Sequence, residues 1–334
     1  MEVLTPYPTL DAAALVRPVD AVFPQEQRSV PRIAVLIPCY NEEAAIGKVV
    51  QAFQRDLPEA RIYVYDNNSS DRTVWEARAA GALVAREPLQ GKGHVIRRMF
   101  SDVEADVYVL VDGDNTYEAA TARPMVEMLI ADGLDMVTGT RITQIRAAYR
   151  LGHRFGNGML TKIVGVVFGN RVTDMLSGYR VFSRRFVKSF PALSSGFETE
   201  TEFTIHALEL KMPLGEVETP YRDRGEGSTS KLNTYRDGVR ILWTIVNLIK
   251  DQRPLQFFSA LAMFLFVTGV GLSVPIFFEF HRTHLVPRFP TAILSTGMVL
   301  LAFLLLVCGL VLESVSRGRK EAKRMVYLAN PRFQ

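Results

Sequence analysis

The sequence predicts an α/β protein: a mostly parallel sheet with helices on both faces, then interfacial helices and a C-terminal two-helix transmembrane hairpin. Three observations predict it. Short apolar runs alternate with helical periodicity over the N-terminal part of the chain, the rhythm of a doubly wound sheet. Polar clusters follow three of those runs, where such sheets bind ligands. Two long runs near the C-terminal end carry almost no charge, and each exceeds the roughly 20 residues a helix needs to cross a bilayer.

Taken in order, residues 1–31 carry several prolines, lack the pattern of a secretory signal and are expected to form a loosely ordered arm. "RIAVLI" (32–37) is a continuous apolar strand. "EEAAIGKVVQAF" places Ile46, Val49, Val50 and Phe53 at helical spacing. "RIYVYD" (61–66) is the second strand, and "SDRTVWEARAAG" a helix that opens on Ser and closes on Gly81. "ALVA" (82–85), "DVYVLVD" (106–112) and "LDMVTG" (134–139) complete the strands, with helices at about 93–103 and 120–131. Glu198, Glu200 and Glu202 fit a helix start, with no role assigned.

The segments 154–170 and 234–254 mix bulky apolar residues with few charges and suit helices lying on a bilayer, with Trp243 at the interface. Residues 255–280 and 289–312 are the spans, and the short link between them makes a hairpin. Positive charge flanks the outer ends: Lys250 and Arg253 before, and Arg317, Arg319, Lys320, Lys323 and Arg324 after, against Arg282 and Arg288 in the link. Both termini and the large domain are therefore expected on the cytoplasmic face. The basic tail, 313–334, is expected against anionic headgroups. Gly269 and Gly271 offer a surface for a homo-oligomer through the hairpin.

Composition narrows the function. A net charge of +4 over 334 residues gives no ground for a nucleic-acid partner. The two cysteines, Cys39 and Cys308, show neither zinc spacing nor an expected disulfide. Three polar clusters end strands: "PCYNEE" after the first, "DNNSSD" after the second and "DGDNTYE" after the fourth. Alone, Asp112-Gly113-Asp114 reads equally as a solvated turn or as two carboxylates on one face of a strand. Three such clusters converging on one sheet edge point to a site.

These residues resemble the family 2 glycosyltransferases of the polyprenyl-phosphate branch, which includes dolichyl-phosphate mannose and glucose synthases and undecaprenyl-phosphate sugar transferases. "LIPCYNEE", "VYDNNSSDRT", "GKGHVIRR", "VDGD", "DMLSGYRVFSRR" and "GEGSTSKL" carry the resemblance in order, over about residues 32–245. It implies the Rossmann-like GT-A fold over 32–233, a nucleotide diphosphate sugar donor with UDP expected ahead of GDP, a polyprenyl phosphate acceptor, and inversion at the sugar. It also implies Mg²⁺ or Mn²⁺, whose hard-oxygen chemistry suits Asp112 and Asp114. Two departures stand out. Asn67 takes a place where paired aspartates are common, and Thr116 one where Gln often helps hold the metal.

On this reading Pro38, Tyr40, Asn41 and Glu42 line the base and ribose end, with Asp66 and Asn68 opposite and Lys92 against the nucleotide. Gly113 lets the diphosphate approach the backbone. Capping is the competing reading for Asn41 and Glu42, and a solvated loop that for Lys92. A phosphate monoester acceptor is already ionised at neutral pH and needs cations more than a base. Arg141, Arg154, Arg224 and Lys231 are the candidates, with Arg141 also placed at the reaction centre beside Asp114 and Asp174. Transfer to another membrane lipid, and nucleotide-sugar binding without turnover, are the competing functions.

Overall fold

The computed structural model describes residues 30–142, 173–193, 196, 198–222, 243, 246, 247, 250, 251 and 253–331. The expected acceptor residues Arg154, Arg224 and Lys231, the arm before residue 30 and most of 234–254 lie outside these.

Among the described residues seven strands form one sheet in the order β3-β2-β1-β4-β6-β5-β7. They are β1 (Ile33–Cys39), β2 (Arg61–Asp66), β3 (Leu83–Arg86), β4 (Val107–Leu110), β5 (Met136–Ile142), β6 (Arg180–Ser183) and β7 (Leu214–Pro220). β1, β2, β3 and β4 run parallel. β6 is inserted antiparallel between β4 and β5, and β7 pairs parallel with β5. β6 and β7 were not expected. β6 has only four residues, and nothing in chain order says that it enters between two earlier strands.

Alternation along β1 shows why the sheet is buried on both faces. Ile33, Val35, Ile37 and Cys39 pack with the helices α1 (Ile46–Asp56), α2 (Thr73–Ala79) and α4 (Ala122–Ala131). Ala34 and Leu36 face the other layer, built on α3 (Lys92–Asp102), α5 (Arg184–Ser189) and α6 (Thr199–Leu210). That second layer is aromatic: the Phe182 and Phe186 rings stack at 4.5 Å, and Phe203 lies 4.8 Å from Phe182 and from Phe190. Each fully buried ring contributes roughly 1.5–3 kcal/mol relative to exposure.

The expected strand 106–112 ends sooner, at Leu110. Asp112, Gly113 and Asp114 therefore stand in a turn, and strand alternation does not set their directions. Register still places that turn at the right edge: Leu36 lies opposite Leu110, and Val111 N donates to Leu36 O at 3.1 Å.

Among the described residues two helices are long and apolar enough to cross a membrane: α7 (Pro254–Thr283) and α8 (Phe289–Ala329). Only 17% and 11% of their most apolar stretches are buried, so neither is a core helix of the domain. They pack along a seam of mainly small residues at every seventh position, Ala262, Gly269 and Ile276 against Ser295, Ala302, Gly309 and Ser316. A seven-residue repeat keeps one face turned to an antiparallel partner. Gly269 belongs to this seam: a Cβ there would sit 3.0 Å from Val299 and 3.1 Å from Ser295 O. It serves the hairpin rather than a second copy, while Gly271 faces open space.

The basic tail does not form a separate segment after the second span. Helix α8 continues without a break from the apolar run to Ala329 and docks on the domain. Lys323 pairs with Glu209 at 2.9 Å, and Tyr327 Oη donates to Asp135 Oδ2 at 2.7 Å.

Candidate active site

The carboxyl ends of β1, β2, β4 and β5 and the entry to β6 meet at one sheet edge. The first two turns are stitched together. Asn41 N donates to Ser69 Oγ at 2.9 Å, and Ser70 N donates back to Asn41 Oδ1 at 2.8 Å. Glu42 N donates to Thr73 Oγ1 at 2.8 Å. Asp66 is buried and accepts from Ser69 N at 3.1 Å. Asn41, Asn68 and Asn115 each adopt positive φ, at 52°, 65° and 59°. Asparagine tolerates this conformation better than most L-residues, which suits it to sharp turns at strand ends.

Asn67 explains one departure. Its Nδ2 donates to Glu87 O at 3.0 Å and Leu89 O at 2.7 Å, while its Oδ1 accepts from Gly91 N at 2.7 Å. Aspartate could not donate, so the amide is what ties β2 to the turn before α3. Asn68 holds the same loop, through Nδ2 to Pro88 O at 2.8 Å.

Lys92 is not a solvated loop lysine. Its ammonium is buried and bridges Asp112 Oδ1 and Glu200 Oε1, each at 2.5 Å. Burial alone would lower its pKa, but the two carboxylates outweigh that and hold it above the ordinary lysine value. Glu200, in the first turn of α6, is buried, and its Oε2 has no hydrogen-bond partner among the described residues. Such an orphan asks for an explanation, and a ligand hydroxyl is one. The sequence placed Glu200 at a helix start, but its meeting with Lys92 crosses 108 positions and left no local signal.

Asp112 is half-exposed and lies against Gly178, where a Cβ would come within 2.3 Å of Oδ2. Gly113 is required for packing: a Cβ there would meet Cys39 Sγ at 2.6 Å. The expected reason, close approach of a diphosphate, is therefore not needed to account for it. Asp114 is buried, and its Oδ1 accepts from Thr116 Oγ1 at 2.7 Å and Thr116 N at 3.2 Å. Thr116 is itself buried, so it orients Asp114 from behind.

Arg141, at the end of β5, forms a two-pronged pair with Asp174: Nε to Oδ2 and Nη2 to Oδ1, both at 2.8 Å. Burial would raise the Asp174 carboxyl, but the guanidinium holds it below the ordinary value. Arg141 also lies 5.6 Å over the Tyr221 ring. Tyr117 packs on Tyr221 at 5.2 Å and accepts Gly178 N on its hydroxyl at 3.0 Å, which links this pair to the Asp112 turn. Arg180, two residues past Gly178 and first in β6, is fully buried and donates to Ser177 O, Met175 O and Thr204 Oγ1 at 3.0, 2.7 and 2.9 Å. Sequence reasoning did not single it out.

Among the described residues no three His, Cys, Asp or Glu side chains gather as a metal site. Asp112 and Asp114 are hard oxygen donors of the kind Mg²⁺ and Mn²⁺ take, and both ions commonly complete their shells with phosphate oxygens and water. The donor set fits a cation that arrives with a diphosphate.

The sequence profile described as Glycosyl transferase family 2 matches residues 34–190. Glycosyltransferase AglJ of Haloferax volcanii is 31% identical over 297 residues, 88% of this chain and 97% of that protein. The chain belongs to glycosyl transferase family 2. A dolichyl-phosphate hexose transferase of the same organism is 30% identical over 66% of this chain and 95% of that one. Protein RfbJ of Shigella flexneri is 55% identical over 36% of this chain and 95% of its own length. Among solved structures, Mycobacterium tuberculosis glucosyl-3-phosphoglycerate synthase, in a complex with Mn²⁺ and UDP, superposes with a TM-score of 0.55 at 21% identity. That superposition covers 65% of this chain and 79% of that one. At this identity the likeness speaks for the fold, which is the expected GT-A type. The family 2 profile spans the sheet from β1 through β6 and α5. The match with AglJ is long enough to take in part of the apolar hairpin as well.

Proposed function

We propose that the chain is a membrane-bound, inverting glycosyltransferase that moves a sugar from a nucleotide diphosphate sugar, UDP ahead of GDP, to a polyprenyl phosphate. The observation that carries this reading is one sheet edge holding the Asp112–Asp114 turn, the Lys92–Glu200 bridge and the Arg141–Asp174 pair, in a chain that continues into an apolar hairpin. The resemblance to a dolichyl-phosphate hexose transferase supports the acceptor class.

On this reading Pro38, Tyr40, Asn41, Glu42 and Asp66 frame the nucleotide end, with Asn68 shaping the loop opposite. Asp112 and Asp114 hold Mg²⁺ or Mn²⁺, which when bound neutralises the leaving diphosphate. Lys92 and the orphaned Glu200 oxygen face donor hydroxyls. Arg141 offers its charge to the acceptor phosphate, joined by Arg154, Arg224 and Lys231 as that class of lipid requires. Asp174, with both oxygens on Arg141, sets the direction of that fork rather than taking a proton. The acceptor oxygen is already anionic, so no general base is needed. The charge asymmetry of the flanks supports a cytoplasmic position for the domain and both termini.

The test is purified full-length protein in lipid nanodiscs with Mn²⁺, labelled nucleotide sugars, and undecaprenyl phosphate, dolichyl phosphate or diacylglycerol. Label should pass to a polyprenyl phosphate, and Asp114→Asn should abolish it. Transfer only to diacylglycerol, or transfer that survives Asp114→Asn intact, overturns the reading.

A further inference from the structure

Helix α8 does more than close the hairpin. Its membrane end is braced: Ser316 Oγ and Arg319 Nη2 both donate to Asp251 O, at 2.9 and 3.2 Å, just before α7 begins. Its far end is clasped. Tyr327 Oη donates to Asp135 Oδ2, Arg185 holds both Asp135 oxygens at 2.5 and 2.9 Å, and the Arg185 guanidinium lies 4.9 Å over the Tyr327 ring. Asp135 is fully buried. Lys323 adds its pair with Glu209, at the last turn of α6.

Both anchors sit on the sheet edge away from the site. Asp135 immediately precedes β5, whereas Arg141 stands near the opposite end of that strand. Glu209 closes α6, whereas Glu200 opens it. From Leu312, the last residue of the apolar run, to Tyr327 the helix rises about 22 Å. From Asp135 back along β5 to Arg141 the strand covers about 20 Å. The two lengths are comparable. Two strands that end at the catalytic edge also lead, through polar links, to apolar sequence: β5 to 154–170, and β7 to α7.

We infer that residues 313–329 are a positioning strut: by clasping the far edge of the sheet, Lys323 and Tyr327 return the catalytic edge to the membrane surface and fix its height there. This rests on the reading that the acceptor is a lipid phosphate. The strut matches the site to a phosphate that cannot leave the headgroup plane. A phosphate free in water would meet the same residues at any height.

The experiment uses the full chain in nanodiscs with two acceptors, a long polyprenyl phosphate held in the bilayer and a short, water-soluble prenyl phosphate. One variant releases the clasp, Lys323→Ala with Tyr327→Ala. The other inserts seven helix-forming residues between Arg319 and Lys320, which lengthens the strut by about 10 Å while keeping its face. Both should lose at least about tenfold on the bilayer acceptor and stay within about twofold of the parent on the soluble one, since a small misplacement penalises only the acceptor that cannot follow. Unchanged activity on both acceptors, or equal losses on both in each variant, overturns the strut. A parent chain that transfers to neither acceptor overturns the acceptor reading itself, and the inference with it.

Discussion

Lys92 stands between Asp112 and Glu200 with its ammonium already neutralising the carboxylate that a divalent cation would use. Removing that cation should therefore make the donor-free protein a better metal binder and a worse enzyme. Lys92→Met is expected to tighten Mn²⁺ binding without donor by about tenfold, as expected when a charge competing for the same carboxylate is lost. Calorimetry measures this, and transfer should fall at least about a hundredfold because the donor loses a preorganised contact. Unchanged Mn²⁺ affinity would mean that Asp112 does not hold the metal. The acidic members of the site were legible in the sequence because they are local: "VDGD", "PCYNEE" and "DNNSSD" each follow an apolar run. Their pairings were not. Lys92 stood out by its motif, but its meeting with Glu200 spans 108 positions, and Thr116 stood out as a departure at a metal position, not as the support of Asp114. Periodicity records which face a side chain takes and is silent about what it meets there.

At the scale of elements, the insertion of β6 between β4 and β5 brings Gly178 under Asp112. The antiparallel strand enters at the catalytic edge, and its approach leaves no room for a side chain. Gly178→Ala should displace Asp112 and cost about 1–3 kcal/mol, the usual range for overpacking. Thermal unfolding would register the stability loss, and a weaker donor affinity would register the displaced carboxylate. Full donor affinity in a stable variant would show that the Asp112 turn adjusts freely, against the close fit of Gly178 under its carboxylate. The long helices and the parallel strands on one side of the sheet were readable because they repeat a period over many residues. β6 was not, because "RVFS" is too short to show one and its place depends on pairing with strands far away in sequence. The end of α8 was misread for a different reason. Its charges suggested a segment set against anionic headgroups, although Glu321, Ala322, Lys323, Arg324 and Met325 are all good helix formers.

Across the whole molecule, the second aromatic layer and the clasped tail meet around His206. The imidazole is buried between Phe186 and Phe190 at 5.4 and 5.5 Å, with Ser189 Oγ 3.1 Å from Nε2 and, among the described residues, no partner on Nδ1. Burial, aided by the Lys323 charge, pushes its pKa down to about 3. A histidine lowered in the folded state binds its proton only on unfolding. Its contribution is therefore fully present above the unfolded value near 6.5 and is lost progressively as pH falls from there towards 3. The Asp174 carboxyl, held low by Arg141, contributes its own loss only at more acid pH, below the ordinary carboxylate value. Between pH 6.5 and 5 the histidine effect should therefore stand out, at about 1–2 kcal/mol of unfolding free energy, using 1.36 kcal/mol per pH unit as the limiting slope. His206→Gln removes the titration and keeps a polar group of similar reach. Its stability should be nearly flat across that window, even if lower overall, while the parent falls. Chemical denaturation of both proteins in the same detergent at pH 6.5 and 5 measures the difference of slopes. Parallel profiles would mean that His206 takes up its proton in the folded protein, which would require water or a charge partner to reach a layer that the structure shows packed by rings.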